Sequence, residues 1–204
     1  MKKEKKIDKK ANNILYTGYG DKGTTTLFGC KQERVSKSAN IIEALGSLDE
    51  LNAYLGVVKV HAGTDNLCVK VGAKKVAYID ILGDIQQVLF VIQAELAGSK
   101  MTVSKKSVIK IENIIHKISD LLPPITSFTI SGGSLASAEL DVARTLARRA
   151  ERRVVSVSNE KIRIIGTETI SYLNRLSSIL FALSRYANHL YSIDEDHPNY
   201  LKNK

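Results

Sequence analysis

The spacing of the apolar residues constrains this chain most, because they recur every three or four positions over long stretches. The pattern begins near residue 39 and returns over four later stretches, at about 76–97, 104–122, 135–157 and 164–191. An α-helix completes a turn in about 3.6 residues, so this spacing gives each stretch one apolar face. The sequence therefore predicts an all-α fold, an antiparallel bundle of four or five helices joined by short links.

The length and the cysteine content limit the kinds of domain that the chain can form. With 204 residues, it is long enough for one domain with a substantial hydrophobic core. Cys30 and Cys68 are too few for a disulfide framework or a cysteine-rich zinc site. We predict a disordered basic tail at 1–13, a single helical domain at 14–191 that includes a glycine-rich loop at 14–38, and a C-terminal tail at 192–204.

The charge is concentrated at the N-terminus, where six lysines occur in the first ten residues of a chain with net charge +9. Such a tail can bind nucleic acid or anionic lipid, or it can simply be solvated. No aromatic residues alternate with the lysines, which favours the solvated tail. No apolar segment of a signal peptide follows them, and no apolar run is long enough to cross a membrane. We therefore expect a cytoplasmic protein without membrane or nucleic-acid partners.

The first candidate for chemistry is the glycine- and threonine-rich segment at 16–26. Three of its glycines have G-x-G-x-x-G spacing, but the strand–helix alternation of a dinucleotide fold does not follow. Thr24 stands where a Walker A loop has lysine. Two interpretations remain: a tight surface turn, or a loop whose backbone N–H groups and hydroxyls bind phosphate. Arg34 and Lys37 follow closely and favour an anion site.

The second candidate is the predicted fourth helix, which has five arginines and no lysine over 141–153. On a helix, Arg144, Arg148 and Glu151 lie within about 60° of one another, apart from the apolar side. This stripe of charged side chains is either a solvated face with local ion pairs or a surface for planar, bidentate anion recognition. Asn174 on the last helix is likewise either part of a polar face or a ligand contact. Asp49 lies at the edge of an apolar stripe, where a carboxylate needs a basic partner.

Four motifs in the same order resemble those of the PduO-type ATP:cob(I)alamin adenosyltransferases, from about Tyr16 to Asn188. They are a nucleotide loop (T-x-x-G-D-x-G-x-T at 17–25), R-x-x-K at 34–37, E-x-x-G-x-x-D-E-L-N at 43–52, and the pair formed by the arginine-rich helix at 144–153 and L-N-R-L-S…R-Y-A at 173–187. Each motif alone is weak, whereas four at matching separations are specific.

The resemblance implies a five-helix bundle assembled as a homotrimer, with active sites between neighbouring subunits. It implies ATP, Mg²⁺ and reduced cobalamin as ligands. The implied reaction is transfer of the 5′-deoxyadenosyl group of ATP to cob(I)alamin, by attack of Co(I) on the ribose 5′ carbon with release of triphosphate. An electron-donating reductase and an acceptor B12 enzyme are the implied protein partners.

The resemblance also assigns roles to individual residues. Phe128 is expected to press on the lower face of the corrin and to act in catalysis with Arg148 and Glu151. Asp49 and Arg144 are expected to form an ion pair across the subunit interface. The residues expected to bind ATP are Thr17, Gly18, Tyr19, Gly20, Asp21, Gly23, Thr25, Thr26, Arg34, Lys37, Arg148, Arg149, Glu151, Arg152 and Asn174. No residue is assigned to a metal.

Two other functions remain open at this stage. One is a regulatory helical bundle that binds nucleotide through the same loop without turnover. The other is a helical protein that binds nucleic acid through its lysine-rich tail, and this predicts binding that weakens steeply with salt and disappears when residues 1–10 are deleted.

Overall fold

The structure is a computed structural model that describes residues 15–28 and 34–200. The predicted basic tail at 1–13 lies outside the described residues, as do Cys30 and residues 201–204. The described residues are mostly helical and contain the five predicted helices. They are α1 (Asn40–Thr64), α2 (Tyr78–Ala97), α3 (Lys105–Ser119), α4 (Leu135–Asn159) and α5 (Thr167–Leu190).

Two small antiparallel sheets accompany the helices, so the all-α prediction is too narrow. Strand β1 (Thr24–Thr26) pairs with β2 (Arg34–Ser36), and β3 (Cys68–Val71) pairs with β4 (Lys74–Ala77). The first hairpin lies inside the loop predicted at 14–38. The second was missed, because strands of four residues are too short for alternation to identify. Its turn includes Gly72, which has φ +64°.

The core forms around α4, which packs against α1 on one side and α5 on the other. Its inward face carries small residues that are completely buried, including Ala143, Ala147 and Ala150. Short side chains let the backbones of neighbouring helices approach closely. Larger buried side chains from α1 and α5, such as Leu48 and Leu173, fill the remaining space. This arrangement leaves the arginines of α4 on its outer faces.

A buried carboxylate connects the end of α2 to the start of α5. One Glu95 oxygen accepts a hydrogen bond from the Gly166 backbone N–H at 2.8 Å, and the other accepts one from Thr169 Oγ1 at 2.6 Å. Gly166 precedes the first residue of α5, so Glu95 satisfies a donor at that helix start. The described residues contain no helix that is both long and apolar enough to cross a bilayer.

Candidate functional site

The glycine-rich loop before β1 consists of two tight turns. The Asp21 N–H donates to the Gly18 carbonyl at 3.2 Å, and the Gly23 N–H donates to the Gly20 carbonyl at 3.1 Å. Gly18 and Gly23 have φ values of +69° and +72°. Residues with a Cβ rarely adopt this left-handed conformation, so glycine is needed at both positions. The turns gather several backbone groups into a small region of the surface.

Arg34 on β2 holds this loop in place. Its Nε donates to Thr24 Oγ1 at 2.7 Å, and its Nη2 donates to the Thr24 carbonyl at 2.9 Å. The same Nη2 also donates to the Tyr19 carbonyl. The guanidinium, predicted to contact ATP, is therefore directed at oxygens of its own chain and fixes the shape of the loop.

Lys37 extends across the loop that Arg34 holds. Its backbone N–H donates to the Gly23 carbonyl at 2.9 Å. Its side-chain ammonium lies so near the loop that a Cβ built on Gly20 would be 2.9 Å from Nζ. The missing side chain of Gly20 thus leaves room for a cation directly against the backbone of the loop.

A polar groove of about 670 Å³ separates this hairpin from α1 and α4. Arg149 of α4 forms an ion pair with Glu50 of α1 across it. We call it the hairpin groove, and its other lining residues are Thr25, Lys37, Ile42, Glu43, Gly46, Ser47 and Arg153. Three cationic side chains, two carboxylates and two hydroxyls thus surround an open space large enough for the phosphates of a nucleotide.

A second polar cluster, the α4–α5 network, occupies a different face of α4. Glu151 accepts a hydrogen bond from Asn174 Nδ2 at 3.1 Å, and Arg175 Nη1 donates to Asn174 Oδ1 at 2.7 Å. Arg175 Nε also donates to Glu112 on α3 at 2.9 Å. The network therefore joins three helices, and it brings together the predicted residues Glu151 and Asn174.

The predicted ATP residues thus form two separate groups within one chain. Arg149 lines the hairpin groove, whereas Glu151, two positions later, lies about 160° around the helix from it. Arg148 and Arg152 are exposed and, like Glu151, are absent from the residues that line that groove. In the part of the chain that is described, neither group alone contains all the predicted contacts.

The connector between α3 and α4 carries the most exposed aromatic side chain of this region. Phe128 is 79% exposed. An apolar ring of this size gains free energy only when something covers it. The Phe128 side chain therefore lies outside the hydrophobic core.

Asn188 of α5 fixes the end of this connector. Its Oδ1 accepts hydrogen bonds from the Ser134 backbone N–H at 2.9 Å and from Ser134 Oγ at 3.0 Å, and its Nδ2 donates to the Gly132 carbonyl at 2.9 Å. Gly133 has φ +98°, and a Cβ there would lie 2.5 Å from Asn188 Oδ1. Two independent constraints therefore require glycine at this position: the positive φ, and the lack of space for a Cβ beside Asn188.

Asp49 and Arg144, the expected intersubunit pair, do not form an ion pair with each other among the described residues. Arg144 Nε lies 3.4 Å from Asp141 Oδ1, and its guanidinium is 5.8 Å from the centre of the Phe181 ring. Asp49 is exposed beside an apolar groove of about 700 Å³ that includes Phe90. Among the described residues Asp49 has no ion-pair partner.

Sequence reasoning missed two residues of these sites. Arg153 follows Arg149 by four positions, so helical geometry alone puts both on one face, and this signal was available. Asn188 was not identifiable, since its partners lie more than fifty residues earlier in the chain.

A comparison with protein families identifies the family of this chain. The family described as cobalamin adenosyltransferase matches residues 15–187. The chain belongs to the cobalamin adenosyltransferase family. The resemblance inferred from the four motifs is thereby confirmed.

Individual relatives in this adenosyltransferase family give the same result. The chain is 40% identical over 183 residues to corrinoid adenosyltransferase PduO of Citrobacter freundii, covering 86% of this chain and 50% of that protein. It is 34% identical over 178 residues to the corrinoid adenosyltransferase of Bacillus subtilis, covering 85% and 86%. The chain thus spans about half the length of the PduO relatives that it matches.

Solved structures of the family have the same fold. An alanine variant of the PduO-type ATP:corrinoid adenosyltransferase from Lactobacillus reuteri, complexed with cobalamin and ATP, aligns with a TM-score of 0.79 at 28% identity. That alignment covers 91% of this chain and 99% of the other. A lysine variant of the same enzyme, complexed with ATP, aligns with a TM-score of 0.76.

Proposed function

We propose that this chain transfers the 5′-deoxyadenosyl group of ATP to the Co(I) form of a corrinoid. The observation that carries the proposal is the hairpin groove, where the glycine loop, Lys37 and two arginines of α4 surround one space. The relatives named as corrinoid adenosyltransferases and the neighbours complexed with cobalamin and ATP support it.

The chemistry needs little from the protein in the way of reactive groups. Co(I) of the substrate donates an electron pair to the ribose 5′ carbon, so a cobalt–carbon bond forms. The carbon–oxygen bond to the triphosphate breaks, and triphosphate leaves with the bonding electrons. No side chain has to act as nucleophile or base. The protein must align the two substrates and stabilise the charge on the departing group.

The residues of the hairpin groove suit the second task. In our proposal, Lys37, Arg149 and Arg153 bind the triphosphate, with the hydroxyl of Thr25 as an additional donor. Glu50 holds the Arg149 side chain until the nucleotide arrives. Each charge-assisted hydrogen bond to a phosphate contributes about 1.5–3 kcal/mol. Arg34 acts indirectly in this arrangement, by keeping the loop in its binding shape.

We further propose that the working form is a homotrimeric five-helix bundle whose sites lie between subunits. The separation of the two groups of ATP residues supports this, because a second copy can bring its α4–α5 network to the hairpin groove of the first. Arg148, Glu151, Arg152 and Asn174 would then contact the nucleotide from the neighbouring subunit. The unpaired Asp49 would meet Arg144 of that subunit, beside the apolar groove.

Phe128 has the corrin-contacting role in this proposal. Its exposure leaves the ring free to press on the lower face of the corrin, where it would exclude the axial base. A cobalt centre without that base is easier to reduce from Co(II) to Co(I). The Co(I) state requires an electron donor, so we expect a reductase partner, a B12 enzyme that accepts the product, and a cytoplasmic location.

Mg²⁺ is expected to accompany ATP rather than to occupy a dedicated protein site. The described residues contain no group of three or more His, Cys, Asp or Glu side chains that could hold a metal. Magnesium in nucleotide sites is commonly bound by the phosphates with one or two carboxylates, and Asp21 on the loop is one candidate. When bound, the ion would share the charge of the triphosphate.

The test is an anaerobic spectrum of the chain with ATP, Mg²⁺ and chemically reduced cobalamin. We expect the Co(I) absorption to convert to that of a light-sensitive alkylcobalamin, with one triphosphate released per turnover. Binding of ATP without conversion would contradict the transferase function. It would favour the alternative of a regulatory helical bundle that binds nucleotide without turnover. A Phe128→Ala variant should lose most of the conversion while it keeps the ATP affinity of the unaltered chain.

A further inference from the structure

The segment that follows α5 turns back onto the connector that carries Phe128. Both carboxylate oxygens of Glu195 accept from the Arg185 guanidinium, at 3.0 Å for the Nη2 contact. The same Nη2 donates to the Pro123 carbonyl at 3.1 Å. Arg185 is only 9% exposed, so this ion pair is largely shielded from solvent. The first part of the connector is thus joined through Arg185 to the C-terminal segment.

The next two residues of the segment hold the connector on both sides of Phe128. The Asp196 carbonyl accepts a hydrogen bond from the Ile130 N–H at 2.7 Å. His197 Nδ1 donates to the Phe128 carbonyl at 2.9 Å, and Ser127 Oγ lies 2.9 Å from the same nitrogen. Residues 195–197, which we call the C-terminal clasp, therefore contact the connector at consecutive points.

The clasp matters because the Phe128 side chain cannot fix its own position. The ring is exposed, and Gly132 and Gly133 follow it with positive φ values. Holding one residue of such a segment in a single conformation costs about 1–2 kcal/mol of entropy. The hydrogen bonds from the clasp to the main chain at Phe128 and Ile130 offset that cost directly. The main chain that carries the ring is thus held by hydrogen bonds, whereas the exposed ring itself gains little from packing.

We propose that the C-terminal clasp positions Phe128 for the corrinoid, with His197 as the positioning residue. This inference rests on the proposed function, in which Phe128 contacts the corrin. The clasp lies beyond residue 187, where the family match ends. It also implies that the segment after α5 belongs to the working site.

The test compares His197→Ala with His197→Asn, whose amide nitrogen can still donate to a carbonyl. His116→Ala is the matched control, since His116 is an exposed histidine on α3. We expect His197→Ala to raise the KM for cobalamin about tenfold, the effect of losing one well-placed hydrogen bond, with the KM for ATP unchanged. His197→Asn should restore most of the affinity, and His116→Ala should have no effect.

Two further readouts do not depend on turnover. With Co(II) cobalamin and ATP bound, His197→Ala should show a smaller fraction of base-free Co(II) by electron paramagnetic resonance. In the protein alone, hydrogen exchange at the Ile130 amide should become faster, because the neighbouring Asp196 carbonyl is released. If His197→Ala leaves both the hydrogen exchange of the Ile130 amide and the Co(II) spectrum unchanged, the proposed positioning role of the clasp is refuted.

A Phe128→Ala variant separates failure of this inference from failure of the proposed function. If Phe128→Ala itself leaves cobalamin chemistry unaltered, the proposed role of Phe128 is wrong, and so is the proposed role of the clasp. If Phe128→Ala is impaired and His197→Ala is not, only the clasp is refuted. Adding His197→Ala to Phe128→Ala should cause no further loss, and additive losses would show that His197 acts elsewhere.

Discussion

Replacing Gly133 with alanine is the sharpest test of how the connector is held before α4. The new Cβ would lie 2.5 Å from Asn188 Oδ1 and 2.6 Å from Nδ2, so the amide must move. Asn188 is buried, with little room to retreat. Its movement would release its hydrogen bonds to the Ser134 N–H, the Ser134 hydroxyl and the Gly132 carbonyl. Ser134 is also the N-cap of α4, so the start of that helix loses support.

Gly132→Ala is the matched control, because Gly132 has φ +133° but nothing lies within 4 Å of the place that an alanine Cβ would take there. Backbone strain at a positive φ costs about 2 kcal/mol and applies to both variants. Loss of three partly buried hydrogen bonds adds about 3 kcal/mol for Gly133→Ala alone. The expected destabilisation is therefore about 5 kcal/mol for Gly133→Ala and about 2 kcal/mol for Gly132→Ala.

The assay is urea unfolding followed by circular dichroism, at one protein concentration because the proposed subunit association would contribute to stability. With a slope of about 3 kcal/mol per molar, the unfolding midpoint of Gly133→Ala should lie about 1 M below that of Gly132→Ala. In an Asn188→Ala background the two glycine variants should become equivalent, because the clash is gone. Equal midpoints in the unaltered background would refute the proposed role of Asn188.

Three other predictions concern the site and the core. Lys37→Met should weaken ATP binding about 10- to 100-fold by calorimetry, while Lys74→Met on the β3–β4 hairpin should not; equal affinities would remove Lys37 from the nucleotide site. Asp49→Asn should shift the assembly toward smaller species in sedimentation, and an unaltered trimer would contradict the intersubunit pair. Burial raises the pKa of Tyr78 and of Tyr172 above the ordinary value of 10.0, so their neutral phenols stabilise the fold fully below that pH. We expect the free energy of unfolding to fall as the pH rises above 10.0. Ultraviolet absorbance should detect the tyrosinates of Tyr78 and Tyr172 only as the chain unfolds. Ionisation of either residue in the folded protein would refute this prediction.

The helices were largely predictable because their signal is local. Apolar spacing of three and four residues recurs over many turns, and the start of the first helix and both ends of the other four were predicted within a few residues. Stop signals along the chain, such as Pro123 and Pro124 after α3, are equally local. The β3–β4 hairpin had no such signal, because two strands of four residues become stable only by pairing with each other and packing on the helices.

Parts of the candidate site were also predictable, but their roles were not. The glycines, Lys37 and the α4 arginines other than Arg153 were named from motifs. Only the structure showed that Arg34 holds the loop itself, since its acceptors include the Tyr19 carbonyl, fifteen residues away. Helical spacing alone puts Arg149 and Glu151 on different faces of α4, but only the structure showed that Arg149 lines the hairpin groove and that Glu151 contacts Asn174.

The sequence by itself determined the family, the helical content and the types of residue available for binding phosphate. These properties depend on composition and on spacing within a few turns of chain, where each residue reports on its near neighbours. The tertiary structure alone decided that His197 reaches the Phe128 carbonyl and that Asn188 supports Ser134. Contacts across fifty or more residues arise because the packing of the helices brings distant segments together, and no local pattern encodes which polar groups then meet.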